Sequence, residues 1–516
     1  MARILPAQSA FARRPLAVAA AFAAAIALQP IPAQIQIQLM PLPVTQGVES
    51  LAAGATAPKP KWGEWRAGEP VALAKGRVAV VAFYTTSRAP SAEGDADYLA
   101  DLQRRFADRD LDIVAVLPPD AEVPANLSPC RVVSDAGLAT TLSWCGGDSG
   151  ADNVFVLDGG GQVTFRGRLG QGVLDAMERT LNGKPEVERE QQLRSALPMV
   201  ASNFDSMVGA TAKLQLDPLL RHAPRDGFLL GLAYLTAATK LRDLDAATAW
   251  RESAVDRLAN EPRPLAVFAD LALRGVPRSV ELATQLAAAL VPATAVAPRD
   301  PVVQLAYLRA VVLAGMSRQA GRQAMITRKL IEGNAAHQIA FCDILTQDPV
   351  PGPHRELCEA AIAKAAALGA PPRQLAALRY TVARRCAEDE AAAEKVLAAY
   401  VGSDAQHTTL NNDCWYFMTE LDTMGRHDVF AAALAGRMLQ SKAQMDAFEF
   451  DTAALAMFLA GRIDDAVELQ REALQKGQAG NPEYVERLKR YEAAAARQAG
   501  AAEPQPQPGG RDGGGR

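Results

Sequence analysis

The spacing of apolar and polar residues divides the chain near residue 186. Before that point apolar residues come in short uninterrupted runs. Residues 77–84 (RVAVVAFY) and Leu111–Leu117 (LDIVAVL) read as strands buried on both faces. Between them residues 92–106 have helical spacing, with Tyr98, Leu99, Leu102 and Phe106 on one stripe. Residues 153–157 (NVFVL), a glycine-rich turn at 158–161 and residues 162–166 (QVTFR) form a hairpin pattern, and Val173–Leu181 closes the unit as a helix. Strand, helix, strand, hairpin and helix in that order predict a small α/β sandwich. From Val187 onward the strand signals end. Alanine–leucine helices follow one another to about Arg497, broken at Gly275-Val276-Pro277, Ala370-Pro371-Pro372 and Gly461-Arg462. The expected fold is therefore an α/β domain at 60–186 followed by an all-α helical-repeat domain at 187–497.

Composition changes this picture mainly at the ends. Arg3, Arg13 and Arg14 precede or enter an uncharged apolar run at 15–28 (PLAVAAAFAAAIAL), and small residues follow, with Ala27 and Ala33 as cleavage points. This pattern predicts an export signal at 1–33. The run is shorter than the ~20 residues that span a bilayer. A retained anchor of the same orientation is the alternative, and it is the only route to a membrane that the sequence offers. Arg13-Arg14 starts like a twin-arginine signal, but the residues after it depart from that pattern. The expected location is periplasmic or secreted. Residues 34–59, rich in proline, glutamine and alanine, read as a linker, and 498–516 as a disordered tail. A chain of 516 residues needs more than one core. A net charge of -4 gives no electrostatic case for nucleic acid. The low aromatic content of 6 %, beside abundant alanine, favours packed helices.

Two resemblances sharpen the domain assignments. Residues 62–183 resemble the exported TlpA-type thioredoxin-like (redoxin) family. The match lies in the entry element Trp65-Arg66-Ala67-Gly68-Glu69-Pro70-Val71, the strand and loop Val81-Ala82-Phe83-Tyr84-Thr85-Thr86-Ser87-Arg88-Ala89-Pro90-Ser91, and the stretch 154–170 (VFVLDGGGQVTFRGRLG). The resemblance implies a thioredoxin-like fold, but the catalytic positions depart from it. Arg88 and Ser91 stand where the family carries its Cys-x-x-Cys pair, and Asp152 stands where it carries a cis-proline. Thiol–disulfide exchange needs an attacking thiolate and a resolving thiol, and serine stays protonated without a strong base. In the second half Gly461, Ala466 and Ala473 fall at offsets of five and twelve; Gly315 and Ala320 repeat the first offset, and Gly275, Val280, Ala287 and Pro292 approximate both. These resemble the small-residue positions of a tetratricopeptide helix pair. Stacked pairs imply a concave face for a protein or peptide ligand.

Six cysteines remain as candidate chemistry, none in a Cys-x-x-Cys motif. In an exported protein an even number predicts disulfides. Cys130 and Cys145 are expected to bridge within the α/β unit, worth about 3 kcal/mol in the chain-entropy account; alternatively they are a displaced redox pair. Cys342 and Cys358 flank a short proline-rich loop and should bridge first. Cys386 and Cys414 tie neighbouring helices or are buried free thiols. His337, Cys342, His354 and Cys358 have spacings that suit zinc, but the disulfide is preferred, so no metal and no cofactor are expected. Trp415, Tyr416, Phe417 and Met418 look like a binding cluster, yet four consecutive residues cannot share a helix face, so most belong to the core. Charges in the helices alternate and read as solvated faces. The functional expectation is an exported, non-catalytic protein that binds partners through its helical repeats. The alternative is a thiol–disulfide oxidoreductase or peroxidase-like redoxin using Cys130 and Cys145.

Overall fold

A computed structural model describes residues 50–73, 75–84, 95–146, 153–170, 172–204, 209–275, 279–402, 407–421, 423–477 and 481–502. The export signal at 1–33, most of the linker, the motif positions Arg88, Ser91 and Asp152, and the tail beyond Ala502 lie outside these residues.

The first part is one six-stranded mixed sheet, β1 (Trp65–Ala67), β2 (Val78–Phe83), β3 (Leu111–Leu117), β4 (Arg131–Ser134), β5 (Val154–Leu157) and β6 (Val163–Gly167), in the spatial order β1-β4-β3-β2-β5-β6. β2, β3 and β4 run parallel, and the β5–β6 hairpin lies antiparallel beside β2. Both apolar runs became central strands: all residues of β2 and β3 are buried. Their side chains alternate between two cores. Val78, Val80, Ala82 and Tyr84 enter one core, under helices α1 (Asp95–Arg105) and α3 (Val173–Leu181). Ala79, Val81 and Phe83 enter the other, under α2 (Ala139–Cys145). Leu51, Ala57, Trp62 and Trp65 also cover that second face. The backbone at Gly54 and Ala55 exchanges bonds with Val163 at 2.7 and 2.9 Å. The expected linker therefore ends earlier than residue 59. The described residues from Ser50 belong to the sandwich, because the second sheet face has only the short α2 to cover it.

The helices that follow are α4 (Val187–Asn203), α5 (Gly209–His222), α6 (Gly227–Leu235), α7 (Leu244–Arg257), α8 (Pro262–Gly275), α9 (Val280–Val296), α10 (Pro301–Leu313), α11 (Ser317–Leu330), α12 (Ala335–Thr346), α13 (Arg355–Ala367), α14 (Pro372–Thr381) and α15 (Glu390–Val401). From α4 to α14 each packs on near neighbours in sequence: α10, for example, on α8, α9, α11 and α12. That is the quasi-one-dimensional packing of a helical repeat array. The ends are fixed locally. Asp226, Asp243, Ser279, Asp300 and Asn334 cap α6, α7, α9, α10 and α12 with side-chain oxygens. At the other end Gly315 and Gly461 adopt φ of 72° and 79°. In both turns the following N–H reaches five residues back, Met316 to Val311 and Arg462 to Met457, so the last carbonyls are satisfied. The expected small-residue positions Ala320, Ala466 and Ala473 are buried at helix contacts.

The sheet and the helices through Tyr400, with Met424–Arg426, form one compact unit, and a second unit comprises Val401–Thr423 and the residues from His427 on. That division falls inside the helical region. The second unit holds α16 (His407–Thr419), α17 (Asp428–Met438), α18 (Ala447–Leu459), α19 (Ile463–Lys476) and α20 (Pro482–Ala502). Consecutive helices pack together, and α18 opens with a capping box made by Asp446 and Glu449. α20 runs past 497 to Ala502, five residues into the expected tail. Among the described residues no helix is long and apolar enough to cross a membrane.

Candidate functional site

The loop that would carry the motif leaves β2 at Tyr84 and re-enters at Asp95, so these two residues mark the loop end of the sheet. Tyr84 is fully buried and continues the strand, its N–H bonded to the Val116 carbonyl at 2.9 Å. Its hydroxyl donates to Asp95 Oδ2 at 3.0 Å. The other Asp95 oxygen accepts from the Arg263 guanidinium, which arrives from the first turn of α8. Arg263 Nε also donates to Asp300 Oδ2 at 2.8 Å, and Asp300 Oδ1 caps α10 through Val302 N at 2.9 Å. The guanidinium stacks 5.7 Å over the Tyr98 ring. Gly170, with φ of 84°, lies so close that an added Cβ would sit 3.1 Å from Arg263 Cγ. At the far end of α1, Arg105 forks Glu261 at 2.7 and 3.1 Å. Burial alone would lower the Arg263 pKa, but Asp300 and Asp95 hold it above its ordinary value. The cation is permanent.

A second row of charges fastens α3 to the helices. Arg225 bridges Asp175 at 2.6 Å and Glu178 at 2.7 Å. Arg179 donates to the His222 carbonyl at 2.6 Å, and His222 Nε2 lies 2.9 Å from Glu190. Beside them Asp226 caps α6 with Oδ1, while its Oδ2 is buried without a partner. Burial pushes this carboxyl up to about 6 despite the two N–H donors that lower it.

The cysteines do not support redox catalysis. Cys130 lies in the core under α1 and α3, Cys145 in the core under α2, so the sheet stands between them. They form neither the expected disulfide nor a displaced redox pair. Burial also pushes the Cys130 thiol up to about 12, which suppresses the reactive thiolate. All six cysteines are free and buried: the Cys130–Cys145 and Cys342–Cys358 bridges are not formed, and Cys386 and Cys414 are buried free thiols rather than a tie between helices. The Cys358 thiol instead faces the Cys342 carbonyl oxygen at 3.8 Å, and the Cys414 thiol faces the Ala431 carbonyl oxygen at 3.3 Å. The residues considered for zinc serve other ends. The His354 ring lies 3.1 Å from Asp348, and the His337 N–H takes the cap of α12 from Asn334 at 2.9 Å. Among the described residues no group of three or more His, Cys, Asp or Glu is placed to hold a metal. Phe417 and Met418 are core, with Phe417 edge-on to Phe430. Trp415 is half-buried, with Arg487 5.6 Å over its ring.

The expectation of solvated helix charges fails in the interior of the array. Arg309 has no exposed side-chain surface and ties three alternate helices together: Nε to Asp270 on α8 at 2.8 Å, Nη2 to Asp343 on α12 at 3.0 Å and Nη1 to Gln347 at 3.3 Å. The signal was available. Arg309 is the one charged residue in α10 and Asp343 the one in α12, and a lone charge inside an apolar helix has no solvated face to occupy.

No protein-family profile matches the chain, and no curated protein matches it. Solved structures similar to it include the human IFIT1 dimer with PPP-AAAA, at 15 % identity over 58 % of this chain and 66 % of that one, with a TM-score of 0.32. Another is the P58(IPK) TPR domain, at 12 % identity over 60 % of this chain and 99 % of that one, with a TM-score of 0.16. Matches this distant carry no argument about this chain. Its helical-repeat character rests on its own helix packing.

Proposed function

We propose that this chain is an exported, non-catalytic protein in which a thioredoxin-like sheet domain caps a tetratricopeptide-like helical array that binds a protein or peptide. The strand order, with three parallel strands and an antiparallel hairpin beside the motif strand, supports the thioredoxin-like reading. The observation that carries the non-catalytic reading is Arg263. A helix of the array puts a permanent cation, paired and buried, at the loop end of the sheet, where a redox protein would receive its substrate. The two cysteines of the domain lie on opposite sheet faces, which opposes the oxidoreductase alternative. Terminal repeats need their apolar face covered, and the sandwich supplies that cover. Export rests on the arginine-flanked apolar run, and N-terminal sequencing of the mature protein is expected to start after Ala27 or Ala33.

The test is disulfide exchange by the intact protein. Insulin reduction with a thiol donor should stay at background and be unchanged in Cys130→Ala. Robust turnover that disappears in Cys130→Ala overturns the proposal and establishes the oxidoreductase.

A further inference from the structure

One helix of the array departs from the expected alternation of solvated charges. The chain carries 58 acidic residues and a net charge of -4, yet residues 301–331 contain no aspartate or glutamate. Five cations fall in that stretch. Arg309 is buried and held by Asp270 and Asp343. The other four, Arg318, Arg322, Arg328 and Lys329, all lie on α11, and all are exposed. None of their side chains makes an ion pair or a hydrogen bond among the described residues. The nearest acid in sequence, Glu332, is exposed just past the end of the helix and pairs with none of them. The buried face of α11 is made by Ala320, Gln323, Ala324 and Thr327, and Gln323 Nε2 donates to Gln304 Oε1 on α10 at 2.6 Å. Helical spacing puts Arg318, Arg322, Met325, Ile326 and Lys329 together on the opposite face. Met325 and Ile326 are each 50 % exposed. Unpaired cations and two large apolar side chains thus share one solvent stripe, which neither helix packing nor charge pairing within the array requires.

We infer that this face of α11 docks peripherally on a bilayer that carries anionic headgroups. Charge complementarity selects the sign of the partner: the cations have no acid of their own to satisfy them. The apolar pair selects the kind of partner. The long arginine and lysine stems let the charged ends reach headgroup phosphates, while Met325 and Ile326 enter the boundary between headgroups and acyl chains. A single-stranded nucleic acid is held by cations together with aromatic side chains on which bases stack, and α11 has no aromatic residue. The core of a protein interface is enriched in aromatics and depleted in lysine, again unlike this stripe. Each cation adds its own attraction to an anionic surface, and salt screens it. The contact is separate from the apolar run at 15–28 and does not depend on the proposed partner-binding function.

The test measures partition of the full chain onto sedimenting vesicles, made of phosphatidylcholine alone or of phosphatidylcholine and phosphatidylglycerol in equal parts. The readout is the preference for the anionic vesicles, compared between the wild type and variants that share residues 1–33. The wild type should prefer the anionic vesicles, and less so at high salt. Arg322→Gln with Lys329→Gln should cut the preference by about twentyfold to thirtyfold, at about fivefold per cation. Met325→Gln with Ile326→Gln should weaken binding to anionic vesicles by about tenfold and leave binding to heparin, a polyanion without acyl chains, unchanged. All four positions are exposed, so both variants should keep the wild-type urea midpoint. The inference is overturned if the wild type shows no preference, or if Arg322→Gln with Lys329→Gln keeps the wild-type preference. Unchanged vesicle binding in Met325→Gln with Ile326→Gln, with heparin bound as tightly as before, assigns the face to a soluble polyanion and overturns the bilayer as its partner.

Discussion

Arg263 and Arg309 are both buried arginines held by two aspartates, and they do different work in two regions of the same unit. Arg309 lies within the helical array. Its partner Asp270 also takes a 2.8 Å bond from Arg274, and its partner Asp343 takes one from Gln347 at 3.0 Å. If Arg309 is lost, Asp270 still faces the Arg274 cation, and Asp343 keeps the neutral Gln347 amide. Arg263 lies where the array meets the sheet. Asp95 and Asp300 are almost fully buried, with side-chain exposures of 4 % and 1 %, and among the described residues no second cation pairs with either. The array spreads its charge over a redundant ladder. The junction concentrates it in one residue, so register between repeats tolerates damage that docking of the sheet does not.

The largest expected effect follows directly. Arg263→Met should destabilise the unit by about 3–5 kcal/mol, since it leaves two buried carboxylates uncompensated. Arg309→Met should cost less, about 2–3 kcal/mol, because Arg274 and Gln347 remain. Urea unfolding of both variants ranks them, and a larger loss for Arg309→Met breaks the comparison. Replacing the whole junction cluster, Arg263→Met with Asp95→Asn and Asp300→Asn, should restore most of the loss, because no charge is then stranded and Asn keeps the cap of α10.

The acid response sharpens the contrast. Burial raises Asp226 at the junction to about 6, above its unfolded value, so its contribution to stability is present below about pH 4 and lost as pH rises through 6. Asp270 in the array behaves oppositely. Burial raises its carboxyl, but Arg274 and Arg309 pull it well below the usual range. Its contribution is present above about pH 4 and lost on acidification. Wild-type stability should therefore rise on going from pH 7 toward 4 through Asp226, then fall through Asp270. Asp226→Asn should remove about 2 kcal/mol of that rise and leave the acid loss in place. An unchanged rise shows that another group titrates there.

Much of the architecture was legible in the sequence. Uninterrupted runs at β2 and β3 marked strands buried on both faces, and Gly315 and Gly461 marked helix ends through the conformation only glycine takes without strain. The junction was not legible, because Asp95, the pair Glu261 and Arg263, and Asp300 come from three distant stretches of the chain and each alone reads as a surface charge. Cysteine pairing failed for a related reason. Spacing gives loop length, whereas the fold puts Cys130, just before β4, and Cys145, at the end of α2, in the cores on opposite sides of the sheet.

The central claim is that α8 docks on the loop end of the sheet through Arg263. Hydrogen exchange read by mass spectrometry on the full chain, wild type against Arg263→Met, tests it most directly. Protection should fall together in Val78–Phe83, in Asp95–Arg105 and in the first turn of α8, while α18 and α19 stay unchanged. Protection lost only in α8, with the sheet and α1 as in wild type, would contradict it.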